Sequence, residues 1–415
     1  MNAKVQSVRG MEDVLPEASP LWERLEDACR AVFRQYGYRN IRTPIVEPTA
    51  LFVRSIGEAT DIVEKEMYVF EDRNGESLAL RPEATAGIVR SAIEHNFLYN
   101  GPMRVWTTGP MFRYERPQKG RQRQFHQFDV EALGFEGPDV DAEQIVLLAR
   151  LWKELGITGA ELHVNSIGDA ADRKAHREKL IVHFEQHAGV LDEDARRRLH
   201  GNPLRILDSK NPAMQQMIEE APRLIDHIGD AAADHFESLK VLLEDAGVAY
   251  VVNPRLVRGL DYYNRSVFEW VSNNIGAQST IAGGGRYDAL FEQLGGKATP
   301  ACGFGMGVER VLLTMLAAGA VAGADPDVFV VHAGEGAERV AWKLAEEWRD
   351  AGKKVVMGTG GSFKSQMKKA DASGARFAAI IGEQEVASRN VTLKPLRGDG
   401  AQKSLTPREA LLEMG

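Results

Sequence analysis

FRYERPQKGRQRQFHQFDVEALG, residues Phe112–Gly134, sets five cations between Arg113 and Arg123 ahead of a run in which polar and apolar residues alternate. Alternation with period two predicts a β-strand, because successive side chains point to opposite faces. On that strand His126, Phe128, Val130 and Ala132 share a face suited to a core, which makes His126 a packed histidine rather than a catalytic base. Phe125, Gln127, Asp129 and Glu131 share the other face. Carboxylates and amides are costly to bury without partners, so this second face predicts the floor of a polar cavity. The incoming run places Arg113 and Glu115 on one face, opposite Phe112 and Tyr114. Between the two runs, RPQKGRQR (116–123) carries four cations and one glycine. Guanidinium forks match phosphate oxygens two at a time, so the hairpin suits a polyphosphate or a nucleic-acid backbone. A solvated hairpin tip accounts for the same charges equally well.

The totals narrow the setting. A chain of 415 residues has room for two or three domains and a sizeable core. With 44% hydrophobic and 27% charged residues it reads as an ordinary globular protein without biased tracts. A net charge of −8 argues against a general nucleic-acid coat and leaves only local basic patches. Cys29 and Cys302 are too few for a disulfide framework, and the ten histidines show no metal-ligand spacing, so no structural zinc is expected. MNAKVQSVRGMEDVLP has no apolar core of a secretory signal, and VLLTMLAAGAVAGA from Val311 is too short to cross a bilayer. A cytoplasmic protein without a membrane span is expected.

Along the chain, 18–38 reads as an amphipathic helix. Pro44 and Pro48 then force an extended segment. Strand-like runs dominate 60–135, helix returns at 139–155, and 170–250 is helix-rich and polar. RSVFEWVS and QSTIAGGG read as strands that lead to a long helix near Gly307. Turn residues cluster at 323–327, and beyond them strands and helices alternate, predicting a small α/β domain, parallel by its crossover lengths. The division expected is 1–169 with 251–323 as one core, 170–250 as a helical insertion, and 324–415 as the tail domain. GFGMGVER fails as a dinucleotide fingerprint, since Arg310 stands where the third glycine belongs, and GTGGS (358–362) lacks a P-loop lysine.

GPMFRYERPQKGRQRQFHQF resembles the second signature motif of the class II aminoacyl-tRNA synthetases, in the form found in the histidyl-tRNA synthetases. YGYRNIRTPIVEP is similar to the first motif and GFGMGVERVLL to the third, while LVRGLDYY (256–263), TIAGGGRYDAL (280–290) and LRPEATAG resemble stretches of the histidine branch. The likeness runs from about Val8 to Lys403. It implies an α+β fold: a class II antiparallel-sheet catalytic core with a helical insertion, then a small α/β anticodon-binding domain. It implies activation of L-histidine by ATP, with Mg²⁺ on the triphosphate, transfer to the 3′ end of tRNA(His), and a homodimer built on the first motif.

By the same resemblance Arg113 and Arg258 are catalytic, gripping the α-phosphate from two sides. Glu115 receives the adenine amino group, Arg121 the γ-phosphate, and Phe125 and Arg310 sandwich the adenine. Glu83, Thr85 and Gln127 hold the α-ammonium group, while Glu131 and Tyr263 meet the imidazole and Tyr262 joins the same pocket. Read as residues, Glu83 after Pro82 also suits a helix start without any ligand, and the tyrosine pair also suits a core. Consecutive residues in an extended segment face opposite ways, which is the expectation for Tyr262 and Tyr263. Arg116, Lys119 and Arg123 are expected at the tRNA acceptor stem, and Lys364 and Lys368, four apart on one helix face, at the anticodon. Ala84 stands where the family often has glycine, and Asp129 adds an acid beside Glu131. The competing reading is a non-catalytic, synthetase-like regulatory subunit of ATP phosphoribosyltransferase. Against it, Arg258, Tyr262, Tyr263 and the tail domain are all present.

Overall fold

In the computed structural model the alternating run forms the strand Gln124–Leu133, paired antiparallel with Met103–Phe112 so that Gly109 faces Gln127, Thr107 faces Asp129 and Val105 faces Glu131. The structure describes residues 5–415 other than 58, 59, 202, 208, 210, 277, 278, 322, 324 and 399. Gln278, in an expected strand, and Ala324, in the expected boundary, therefore lie outside the described residues. The chain forms two compact units, Met1–Val321 and Ala322–Gly415.

In the first unit the strands are β1 (Arg39–Asn40), β2 (Val46–Pro48), β3 (Tyr68–Glu71), β4 (Ser77–Leu80), β5 (Met103–Phe112), β6 (Gln124–Leu133), β7 (Ala160–Ser166), β8 (Val251–Val252), β9 (Asn264–Ser272), β10 (Thr280–Arg286) and β11 (Ala301–Gly307). Eight of them make one sheet in the order β1-β5-β6-β11-β10-β9-β7-β8. Its six central strands are antiparallel, and only the short edges β1 and β8 pair parallel. β2, β4 and β3 form a separate small antiparallel sheet.

One face of the large sheet is the main core. Phe128, Val130, Phe268, Trp270, Phe304 and Met306 pack there against apolar stripes of the helices Ser19–Gln35, Pro138–Leu155, Asp230–Asp245 and Val308–Ala317. Each helix presents apolar residues three and four apart, so the stripe meets the sheet while the opposite side stays wet. Phe236, Leu239 and Leu243 place the helix Asp230–Asp245 in this core, whereas Leu180, Phe184, Met214 and Met217 make a cluster of their own. The expected 170–250 insertion thus divides between a satellite core and the sheet. Helical periodicity reads the same whichever surface the stripe covers.

A buried ionic network ties these layers. Arg286 of β10, fully buried, reaches Asp141 Oδ2 through Nη2 at 2.8 Å and donates to the carbonyls of Phe135 and Gly137. Asp141 also meets His235 Nε2 at 3.0 Å and accepts from Ser266 Oγ. A buried guanidinium is tolerated here because every direction it points finds an acceptor.

In the second unit β12 (Val328–His332), β13 (Val355–Met357), β14 (Phe377–Ile381), β15 (Val391–Pro395) and β16 (Lys403–Leu405) form a sheet in the order β13-β12-β14-β15-β16. The first three are parallel, but β15 and β16 are antiparallel, correcting the all-parallel expectation. Residues 382–390 joining β14 to β15 fall short of the dozen or so residues that a parallel crossover needs. GTGGS is the expected strand-to-helix turn: Gly360 and Gly361 have φ of 61° and 86°, and Ser362 Oγ caps the helix Phe363–Ala372.

Candidate active site

The sheet face opposite the main core carries a cavity of about 280 Å³. What makes room for it is a pattern of glycines. β11 pairs with β6 so that Gly303 faces Glu131, Gly305 faces Asp129 and Gly307 faces Gln127. Each polar side chain of the floor lies beside a residue with no side chain of its own. A β-carbon at Gly305 would come within 3.1 Å of both Asp129 Oδ1 and Gln127 Nε2, and one at Gly303 would overlap the Glu131 carboxylate. On β10, a β-carbon at Gly283 would lie 2.6 Å from Arg258 Nη1. The three glycines of β11 recur at every second position, a one-face signal that the sequence displays in ACGFGMG and that the fingerprint test alone overlooks.

Of the residues singled out in the sequence, Glu83, Thr85, Arg113, Glu115, Arg121, Phe125, Gln127, Arg258, Tyr262, Tyr263 and Arg310 line this one cavity, together with Asp129. Glu131 does not. It lies beneath the floor, 1% exposed, accepting from Thr85 Oγ1 at 2.6 Å and from the Tyr287 hydroxyl. Burial pushes its carboxyl well up, offset by those two hydroxyls. Tyr287, which sequence reasoning missed, thus orients the acid that the floor pattern predicted.

Several groups are already engaged within the chain. Glu83 accepts from the backbone N–H of Thr85 at 2.7 Å and of Ala86 at 3.0 Å, so it does start the helix Thr85–Glu94 as the ligand-free reading expects. Burial raises its carboxyl, with those N–H groups and Arg113 opposing. Ala84 turns its methyl into the core with Ile88 and Val89, away from the cavity lining. Arg121 pairs with Glu115, Arg258 with Glu269, and Glu269 Oε2 accepts from Thr280 Oγ1 at 3.0 Å. Glu269, a lone acid inside the apolar run of β9, was legible by alternation and went unread. Arg310 donates to the carbonyls of Gly120 and Thr280, which clamps the hairpin loop over the cavity. Arg113 donates Nε to the Pro82 carbonyl and stands 5.3 Å from the Phe125 ring centroid. Tyr262 and Tyr263 do not face opposite ways. Their segment is a turn, and their rings tilt together with centroids 4.7 Å apart.

Four lining groups hold buried polar atoms without a hydrogen-bond partner among the described residues: Gln122 Oε1, Gln127 Oε1, Asp129 Oδ2 and Arg258 Nε. Buried polar atoms are nearly always paired, so unpaired ones in a cavity mark where a ligand's groups belong. Among the described residues no cluster of three or more His, Cys, Asp or Glu could hold a metal by itself.

On the hairpin, Arg116 and Lys119 are exposed. Arg123 is engaged instead, donating Nε to the Glu115 carbonyl and stacking 3.8 Å from the Tyr114 ring centroid. Its guanidinium shapes the hairpin. His126 is half-buried and bound by Nδ1 to Glu309 at 2.9 Å, against the edge of Trp22. Lys364 and Lys368 are exposed on the helix Phe363–Ala372.

Against known proteins, residues 10–311 match the family model for histidyl-tRNA synthetase, and residues 327–414 match that for an anticodon binding domain. A histidine–tRNA ligase of Methylobacillus flagellatus is 58% identical over 414 residues, covering 99% of each chain. One of Thiobacillus denitrificans is 60% identical over 405 residues, 97% of this chain and 96% of its own. The crystal structure of apo S. aureus histidyl-tRNA synthetase superposes with a TM-score of 0.80 at 36% identity, over 99% of this chain and 100% of that one. Sheet, cavity and near full-length identity agree: this chain belongs to the histidyl-tRNA synthetase family.

Proposed function

We propose that this cavity joins the carboxylate of L-histidine to the α-phosphate of ATP, expels pyrophosphate, and passes the histidyl group to the 3′ end of tRNA(His). The observation that carries the reading is the convergence of Arg113 and Arg258 with Gln127 and Tyr263 on one glycine-cleared face. Activation asks for little covalent chemistry, so placing two guanidinium groups where negative charge grows is the main requirement. Arg113 and Arg258 hold the α-phosphate. Phe125 and Arg310 bracket the adenine, Glu115 accepts its amino group, and Arg121 turns from Glu115 to the γ-phosphate. Tyr263 and Glu131 address the two imidazole nitrogens, with Tyr262 closing the pocket. The Glu131 carboxylate accepts two hydroxyls and still has lone pairs to offer.

The charge balance argues for the metal. Four arginines line the cavity with five acids, and even with Asp129 protonated Glu83, Glu115, Glu269 and Glu309 match them in number, so there is no excess of positive charge for a triphosphate. Mg²⁺ suits that deficit, held by phosphate oxygens and water with at most one or two of these carboxylates. The exposed Arg116 and Lys119 serve the acceptor stem, with Arg123 bracing the hairpin, and Lys364 and Lys368 serve the anticodon arm. A homodimer is supported by the first motif and by exposed apolar residues of the small sheet, Val46, Val69 and Phe70. Two buried free cysteines fit a reducing cytoplasm.

The test is exchange of pyrophosphate into ATP by the purified protein. Exchange that requires L-histidine supports the reading, and exchange with another amino acid, or none with histidine, rejects it. The regulatory-subunit alternative predicts no exchange at all.

A further inference from the structure

Among the described residues, Asp129 is the one floor acid that accepts no hydrogen bond. On β6 it lies between Gln127 and Glu131 on the cavity side, flanked by Thr107 of β5 and Gly305 of β11. Glu83 is engaged by two backbone N–H groups and Glu131 by two hydroxyls, yet Asp129 Oδ2 accepts nothing among the described residues. Gln127 Oε1, two residues earlier on the same face, is equally unfilled. Two neighbouring acceptors without donors, in a cavity that takes an amino acid, fit a group that brings several N–H bonds and a positive charge. Of histidine's groups the α-ammonium does so with three N–H bonds, the imidazole being assigned to Tyr263 and Glu131 in the reading above.

We propose that Asp129 directly contacts the substrate's α-ammonium group, with Gln127 Oε1 beside it, and that it gives up a proton to bulk water as the cation arrives. The inference rests on the histidine-activating reading above. No bond of the substrate changes: the carboxyl loses its proton, and the ammonium keeps all of its own. The charged groups around Asp129 make that exchange favourable. Burial raises its carboxyl to about 8 and Glu83 adds to the rise, while Arg81 and Arg113 oppose it; Glu131 stands next along the strand. Arg81 is bound to the carbonyls of Pro110 and Thr43, and Arg113 to that of Pro82, so neither closes on Asp129 as a salt bridge. A carboxyl titrating near 8 is about nine-tenths protonated at pH 7, and an adjacent cation lowers its pKa. Histidine binding is then linked to proton release, and affinity rises with pH from 6 to 8.

The experiment compares the full-length protein with Asp129→Asn, using two competitors of histidine in the exchange assay. Histidinol keeps the ammonium and lacks the carboxylate; imidazole-4-propionate keeps the carboxylate and lacks the ammonium. Losing a charge-assisted hydrogen bond weakens histidinol by between about tenfold and about a hundredfold. Imidazole-4-propionate changes by less than about twofold on this account. Calorimetry of histidinol binding at pH 7 in two buffers of different ionisation enthalpy shows more proton release by the unsubstituted protein than by the variant, up to about one proton. Equal weakening of both competitors marks a structural role and overturns the proposal, as does no weakening of either. Equal proton release overturns the coupling. If the unsubstituted protein shows no histidine-dependent exchange, the underlying reading fails first, a separate outcome.

Discussion

Gly303→Ala isolates the principle that shapes the floor. Gly303 does not have positive φ, so an added methyl meets a problem of space alone. Its β-carbon would overlap the Glu131 carboxylate and lie 2.8 Å from the backbone oxygen of Val130, which the β6–β11 ladder fixes. Glu131 has to leave, and both hydroxyls it holds are then left without their acceptor. Each buried polar group stripped of its partner costs about 1–3 kcal/mol, and the overpacking adds about 1–3 kcal/mol. A loss of about 3–9 kcal/mol is a large share of the roughly 5–15 kcal/mol that holds a typical domain. Gly307→Ala provides the control. It lies on the same face, opposite Gln127, but its β-carbon would meet only the aliphatic part of Arg310 at 3.8 Å. Urea unfolding followed by circular dichroism, with the histidine KM from pyrophosphate exchange, tests the pair. Gly303→Ala is expected to lose stability and raise KM, and Gly307→Ala to lose less than about 1 kcal/mol. If the two variants unfold together with equal KM, the glycines do not make the pocket.

Arg258→Ala is expected to slow single-turnover adenylate formation by about a hundredfold or more while histidine binding remains measurable, the behaviour of a charge-stabilising donor; an unchanged rate refutes a phosphate role. Lys364→Ala combined with Lys368→Ala is expected to raise the KM for tRNA, and to flatten its logarithmic salt dependence by about 1.5 in slope, with exchange unaffected; unchanged salt dependence makes both lysines ordinary surface. Arg286→Met is expected to cost about 3–5 kcal/mol at neutral pH, because it leaves the Asp141 carboxylate buried without its guanidinium partner. Burial alone would raise the Asp141 carboxyl, but the bonds to His235 and the charge of Arg286 hold it below its ordinary value. A depressed carboxyl stabilises the fold above its unfolded pKa and loses that stability as pH falls through its folded one. The acid limb of the stability curve therefore moves to higher pH in the variant. A coincident acid limb and an equal unfolding midpoint refute the network's role.

The floor was readable because two simple periodicities coincided. Alternation put Gln127, Asp129 and Glu131 on one face, and the apolar partners Phe128, Val130 and Ala132 went to the core as that pattern demands. Short alternating runs were harder to read. β7 sets Glu161, His163 and Asn165 against Leu162 and Val164 over only 7 residues, and one face of β11 is glycine, which marks a face without saying what covers it. Helix periodicity showed where helices lie but not what they cover, so Asp230–Asp245 was grouped with its sequence neighbours rather than with the sheet. Partner choice among charges is equally absent from a linear reading. Nothing in RPQKGRQR distinguishes Arg121, paired with Glu115, from Arg123, stacked on Tyr114, or from the exposed Arg116.

Those pairings bear on how the cavity works. Arg121 and Arg258 each hold a carboxylate, Glu115 and Glu269, in the ligand-free arrangement. A half-buried guanidinium without a counter-charge would be costly, so pairing keeps the empty cavity stable. On the proposed reading ATP replaces those carboxylates with phosphate oxygens, and the freed Glu115 accepts from the adenine amino group. Arg113 differs, because its Nε is fixed on the Pro82 carbonyl and burial is the largest influence on it, acting to lower its pKa. Among the described residues it has no ion pair to give up. The four arginines therefore divide into two bound to backbone carbonyls, Arg113 and Arg310, and two paired with carboxylates, and on the proposed reading nucleotide swaps those ion pairs rather than creating charge contacts from nothing. Removing Glu269 by Glu269→Gln should consequently free Arg258 and tighten ATP, while leaving Arg121 and Arg113 where they are. An ATP affinity that weakens or stays level in that variant would show that Glu269 positions Arg258 rather than competing for it.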